Sequence, residues 1–223
     1  MGELAEQENI GDHGSSQVYP PYVITPLQGI AKMAEGTDLI YYAGESTHHC
    51  RRLAQKADIV IVVAGNDYHD EGEHVAAELE KEPYQKTGGD RVQGLGLNER
   101  DSRIIEAVGT VRTDTVVVLI CGGMITVNDW EDKADAILVA YYPGMEGGTA
   151  LGEVLFGKVN PGGKLPFVIP EQEEDLPEVD WNASQVRYQY YCGYALLNKT
   201  GKKALYPFGF GLSYTRFQIS DAK

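Results

Sequence analysis

The chain has 223 residues, of which 43% are hydrophobic, with 19 basic against 33 acidic side chains and a formal net charge of −14. That length suits one large domain, or a domain with an appendage, and is enough to bury a core. The acidic balance argues against nucleic-acid or anionic-membrane partners. No run approaches the roughly 18 apolar residues of a membrane span, and no secretory signal is visible.

Residues 1–11 are polar and predict a frayed lead-in. Gly11-Asp-His-Gly-Ser-Ser16 is a turn-rich loop with two hydroxyls, and Tyr19-Pro-Pro-Tyr22 is extended because proline restricts itself and its predecessor. Thr25 and Pro26 suit the N-cap and first position of a helix whose face carries Leu27, Ile30 and Met33, ended by Gly36. Residues 38–43 read as a short strand and 49–56 as a helix. Asp58-Ile-Val-Ile-Val-Val-Ala-Gly65 has the continuous apolar character of a parallel strand covered on both faces. Residues 66–97 form a long charged segment with a short helix expected over 73–81; loops of that length are usually functional or disordered.

Asn98 caps the next helix, with Ile104, Ile105 and Val108 on its buried face. Residues 115–123 form a second buried strand, and 127–133 a connector. Residues 136–142 form a third strand expected to be buried on both faces, followed by a Pro-Gly bend, Glu146, two glycines and a helix ending at Gly157. This alternation predicts an α/β fold, a mostly parallel sheet with helices on both faces and right-handed crossovers. Glu146 stands at a loop tip on the carboxyl end of a strand, where open α/β sheets bind ligands; its glycine neighbours leave room for close approach. The alternative is that it merely complements the dipole of the following helix.

Beyond Gly157 the rhythm changes. Residues 164–169 read as an edge strand between prolines and 170–181 as acidic and extended. Residues 187–217, with Arg187-Tyr-Gln-Tyr-Tyr-Cys-Gly-Tyr194 and then 206–217, are rich in aromatics and glycine, suited either to stacking on sugar or to packing a tail against the domain. Cys50, Cys121 and Cys192 form no CxxC pair, and Cys121 reads as a small apolar residue in its strand. The histidines lack zinc spacing, so no metal is expected. Gly122-Gly123 lacks the pattern of a dinucleotide or phosphate loop, which leaves a flavodoxin-like nucleotide binder as a weak third reading.

Several motifs in order carry a resemblance. They are Gly11-Asp-His-Gly-Ser-Ser16, Thr25-Pro-Leu-Gln-Gly-Ile30, the strand ending at Gly65, Asp90-Arg91, residues 117–123, Tyr142-Pro-Gly-Met-Glu-Gly-Gly148, Leu155-Phe-Gly157, Asn160-Pro-Gly-Gly-Lys-Leu-Pro166 and Tyr206-Pro-Phe-Gly-Phe-Gly-Leu-Ser-Tyr-Thr215. Together, over about residues 9–217, they resemble the second, C-terminal α/β sandwich domain of glycoside hydrolase family 3, the β-glucosidases and β-xylosidases. The resemblance implies an exo-acting retaining β-glycosidase that needs no cofactor or metal. Its (β/α)8 barrel, in cis or trans, carries the nucleophile, and this domain lends Glu146 as general acid/base. It also implies that Ser15 and Ser16 reach the sugar and that Asp90 and Arg91 contact substrate or form an internal ion pair. The substrate would be a β-linked glucoside or xyloside. The expected division is a sandwich over 1–170 and an extension over 171–223 that leads towards a fibronectin III-like domain. A non-catalytic carbohydrate-binding or accessory module is the alternative. Two departures stand out. Thr87 occupies the Glu position of the family's Glu-Gly-x-Asp-Arg pattern, with 66–88 longer than usual, and no segment resembles the barrel.

Overall fold

The computed structural model describes residues 1–14, 17–72, 91, 94–111, 114–180, 183–187, 189–218 and 220. The expected helix over 73–81 lies outside them.

Three parallel strands form the centre: β1 (Val60–Gly65), β2 (Thr115–Ile120) and β3 (Ala136–Val139), in the order β1-β2-β3. Val62 stands opposite Val117, and Val117 opposite Ile137. Side chains alternate across a strand, so the sheet makes two cores. Val62, Ala64, Val117 and Leu119 pack with Cys50, Ala54, Ile104, Ile105 and Val108. These come from α2 (Thr47–Ala54) and α4 (Glu99–Gly109). Val63, Val118 and Ile120 face the other way, onto Leu4, Ala5 and Leu151, with Leu27 and Leu155 partly buried around them. That layer is built on α1 (Pro26–Met33) and α5 (Gly147–Leu155).

The start of the chain is not a frayed lead-in. The Met1 amino group donates to Ile61 O (2.6 Å) and Val63 N donates to Met1 O (2.9 Å), the bond pattern of a parallel bridge on the free edge of β1. Leu4 and Ala5 are buried beneath it. Apolar residues spaced through a polar stretch were enough, because the sheet edge supplies backbone partners. The strand expected over 38–43 does not form; one bond, Gly2 N to Tyr42 O (3.2 Å), ties that segment to the sheet. β3 is also shorter and less buried than its apolar run suggested, since among the described residues nothing pairs along its outer side.

Helix ends follow the capping residues. Thr25 and Gln28 make a reciprocal capping box on α1, and the Asn98 side chain accepts from Asp101 N on α4. α1 and α5 touch backbone to backbone: a Cβ on Gly29 would stand 1.7 Å from Gly148 O. A four-residue helix, α3 (Tyr68–Glu71), capped by Asp67, follows β1.

Of the edge strand expected over 164–169, only the end is in a ladder. β4 (Ile169–Pro170) pairs antiparallel with β5 (Ala204–Tyr206), and Leu165 exchanges backbone bonds with Gly209 and Phe210. The aromatic stretch contains an unforeseen helix, α6 (Gly193–Thr200), with Leu197 buried and Gly201 in the left-handed conformation at its end. Tyr190, Leu212, Tyr214 and Phe217 remain exposed.

Candidate active-site edge

The carboxyl ends of the three parallel strands open on one edge, and among the described residues two glutamates, Glu146 and Glu71, contribute carboxylates there. Glu146 follows β3 through a bend in which Gly144 has φ +73 and Gly147 N donates to Gly144 O. The bend delivers Glu146 to the residue preceding α5, where its side chain makes no capping bond and is exposed. Instead its carboxylate accepts from Tyr22 Oη (2.6 Å) and Thr149 Oγ1 (2.7 Å). These bonds, the Tyr22 one foremost, hold the carboxyl below the usual carboxylate range.

Tyr22 is held in place by its own segment. Ile24 N donates to Met145 O (2.8 Å), and Gly148 N donates to Ile24 O (3.0 Å), bracketing Glu146 on both sides. The glycines after Glu146 permit close packing, Gly148 against the Tyr22 segment and Gly147 against Pro143. A Cβ on Gly148 would lie 2.0 Å from Thr25 O, and one on Gly147 would lie 2.4 Å from Pro143 Cγ. Sequence reading missed Tyr22, whose partner lies far away along the chain; the extended Tyr19-Pro-Pro-Tyr22 segment was the only hint.

Glu71, at the end of α3, is the second glutamate, its side chain only 9% exposed. Asn66 Nδ2, just after β1, donates to its Oε1 (2.7 Å). Gly122 N, just after β2, and Tyr142 Oη, just after β3, donate to its Oε2 (2.5 and 2.8 Å). Arg91 Nε stands 3.6 Å from Oε1, and Arg91 Nη2 donates to Met124 O (2.5 Å). Arg91 thus forms an internal ion pair with Glu71. Ser15, Ser16 and Asp90 lie outside the described residues. The loop leading to the two serines is tied to the same edge: His13, with φ +60, stacks on Tyr68 of α3 at 4.1 Å between ring centroids.

Beneath the edge, Asp101 Oδ2 accepts from Gly65 N (3.0 Å) and Asn98 Nδ2 (3.2 Å), anchoring the end of β1. Burial pushes its carboxyl up to about 6. The Cys121 thiol is likewise raised, to about 12, by burial and then by the charge of Glu71. It behaves as an inert apolar residue, as its place beside β2 suggested. Among the described residues no group of three or more His, Cys, Asp or Glu is arranged to hold a metal ion.

Comparisons with known proteins agree on one lineage. The family described as the glycosyl hydrolase family 3 C-terminal domain matches residues 1–214. The chain is 31% identical to thermostable beta-glucosidase B of Acetivibrio thermocellus, over 99% of this chain and 29% of that protein. It is 30% identical to a beta-xylosidase of Formosa agariphila, over 92% of this chain and 27% of that protein. In three dimensions it resembles a glycoside hydrolase family 3 beta-glucosidase from Neurospora crassa, with a TM-score of 0.81, 26% identity, and 99% of this chain and 29% of that one covered. The chain thus spans less than a third of the length of these relatives.

Proposed function

The chain belongs to glycosyl hydrolase family 3 as its C-terminal domain, and from that premise we propose that it forms one half of a retaining, exo-acting β-glycosidase. A (β/α)8 barrel, in cis or trans, supplies the nucleophile, and the substrate is a β-linked glucoside or xyloside. Residues 1–170 form the sandwich that carries the acid/base loop, and 171–223 form an extension that packs on that sandwich. Glu146 is the general acid/base.

The observation that supports this role is the position of the Glu146 carboxylate. It stands exposed at a bend on the carboxyl edge of the sheet, open to a companion surface, instead of capping α5. In a retaining mechanism one carboxyl attacks the anomeric carbon while the other protonates the leaving oxygen and then activates water, the two being about 5–5.5 Å apart. A general acid needs its proton near neutral pH. In the isolated chain the Tyr22 and Thr149 bonds favour the ionised form. The barrel must therefore cover Glu146, and this desolvation opposes ionisation.

The test is Glu146→Gln in the enzyme that joins this domain to its barrel. A rate loss of about a hundredfold or more, partly restored by azide or by an activated leaving group, is the expected result. Unchanged turnover refutes the assignment. It would favour the second reading, an accessory module in which Glu146 serves only to clamp Tyr22 and its segment against α5.

A further inference from the structure

We infer that the groove between β1 and residues 38–42 is a docking slot for one more parallel strand, contributed by the polypeptide that carries the barrel. The partner rests on the reading above that a barrel accompanies this domain. The slot itself stands on the geometry of the sheet edge.

Met1 bridges to β1 on that edge, donating to Ile61 O and accepting from Val63 N. On the other side Gly2 N donates to Tyr42 O. Met1 and Gly2 therefore already lie between β1 and the 38–42 segment, as residues of a middle strand would. Towards the start of β1 this pairing stops. Alternate residues of a strand turn their N–H and C=O to the same side, so Ile59 and Ile61 face the edge as Val63 does. Among the described residues, Ile59 O and Ile61 N have no backbone partner on that side, and Ile40 makes no backbone bond on the facing segment.

The side chains mark the same gap. Leu39, Ile40 and Ile59 are 45%, 65% and 62% exposed. Their neighbours are packed: Tyr41 and Ile61 against the α1 and α5 layer, Tyr42 against the α2 and α4 layer. Both apolar layers thus run up to the slot and are left uncovered at it. An edge with unpaired backbone groups and aliphatic side chains is a template for strand addition.

The strand that fits is about four residues long, near the short end of strand lengths, and apolar on both faces, as β1 is. It runs parallel to β1 and in line with Met1, and it gives residues 38–43 the ladder they lack. The relatives have the length to supply it, since this chain covers only 29% of thermostable beta-glucosidase B.

The test has two arms. In the first, four valine and isoleucine residues are placed directly ahead of Met1, with a glycine-serine segment of equal length as the control. The Ile61 amide should exchange with solvent about a hundredfold more slowly in the first protein only, and its denaturant midpoint should rise. In the second, Ile40→Glu and Ile59→Glu are made in this chain and in the barrel-joined enzyme. Each should leave the melting temperature of this chain nearly unchanged and lower that of the joined enzyme by about 5 °C.

Unchanged Ile61 exchange in the extended chain would overturn the slot, whatever becomes of the glycosidase reading. Protection in the first arm, with no effect of either glutamate on the joined enzyme, would overturn the barrel polypeptide as the occupant. So would Ile61 protection in the unextended chain that grows with protein concentration, which would make a second copy the occupant.

Discussion

The Tyr22 hydroxyl donates a 2.6 Å hydrogen bond to Glu146, joining an extended segment near the start of the chain to the bend between β3 and α5. The bond stabilises the ionised carboxylate, so Glu146 titrates below the ordinary range and Tyr22 above its own. This exposed acidic group of the edge is therefore tuned by a residue that no local pattern connects to it.

Tyr22→Phe removes the foremost cause of the Glu146 shift, so the carboxyl should titrate at higher pH, nearer the ordinary carboxylate value. A depressed carboxyl contributes stability above its unfolded pKa and loses it as pH falls through the folded value. The variant should therefore lose part of its acid-side stability dependence. Carboxyl carbon NMR across an acid titration reads the shift directly, and an unmoved Glu146 titration would remove Tyr22 from this account.

Gly29→Ala places a methyl against the Gly148 carbonyl, at 1.7 Å before relaxation. Backbone cannot yield as a flexible side chain can, so α1 must back away from α5 and carry the Tyr22 segment with it. A loss of about 3 kcal/mol is expected in denaturant unfolding. Gly162→Ala, where the added carbon meets nothing within 4 Å, should change little.

Asp101 has the opposite pH signature to Glu146. Its carboxyl is raised from 3.8 to about 6 by burial, so the folded chain binds more protons than the unfolded one between those values. Stability from this group is present at low pH and falls as pH rises through that window, by at most about 3 kcal/mol. Asp101→Asn keeps an oxygen for Gly65 N and Asn98 Nδ2 and removes the charge. Its unfolding free energy should lack that decline between pH 4 and 6; parallel curves for the two proteins would contradict the assignment.

Arg91→Met leaves Glu71 without its cation in a setting where the carboxylate is only 9% exposed. The three uncharged donors remain, so the chain should still fold, with a loss of about 2 kcal/mol. Thermal unfolding at neutral pH measures the loss. A variant as stable as the parent at neutral pH would mean that the pair does not form.

Much of the scaffold was legible from local pattern. The runs ending at Gly65 and Ile120 have the continuous apolar character of doubly covered strands, and both are buried parallel strands. Thr25-Pro26 and Asn98 mark helix starts because capping is satisfied by residues three positions away. Glu146 was legible as the carboxylate of a strand–bend–helix turn for the same local reason. Where partners decided the outcome, pattern failed. Residues 1–5 are held by the edge of β1, 38–43 find no ladder, and α6 forms within a stretch that read only as aromatic and glycine-rich.

Residues within one turn or one strand of each other determined the α/β alternation and the helix caps, since those energies act over a few positions. Tertiary structure alone decided the contacts of the edge: Tyr22 on Glu146, Gly29 against Gly148, and Glu71 on Arg91 across residues 73–89. These depend on the order and spacing of three parallel strands, which bring their carboxyl ends together wherever the connecting chain happens to run.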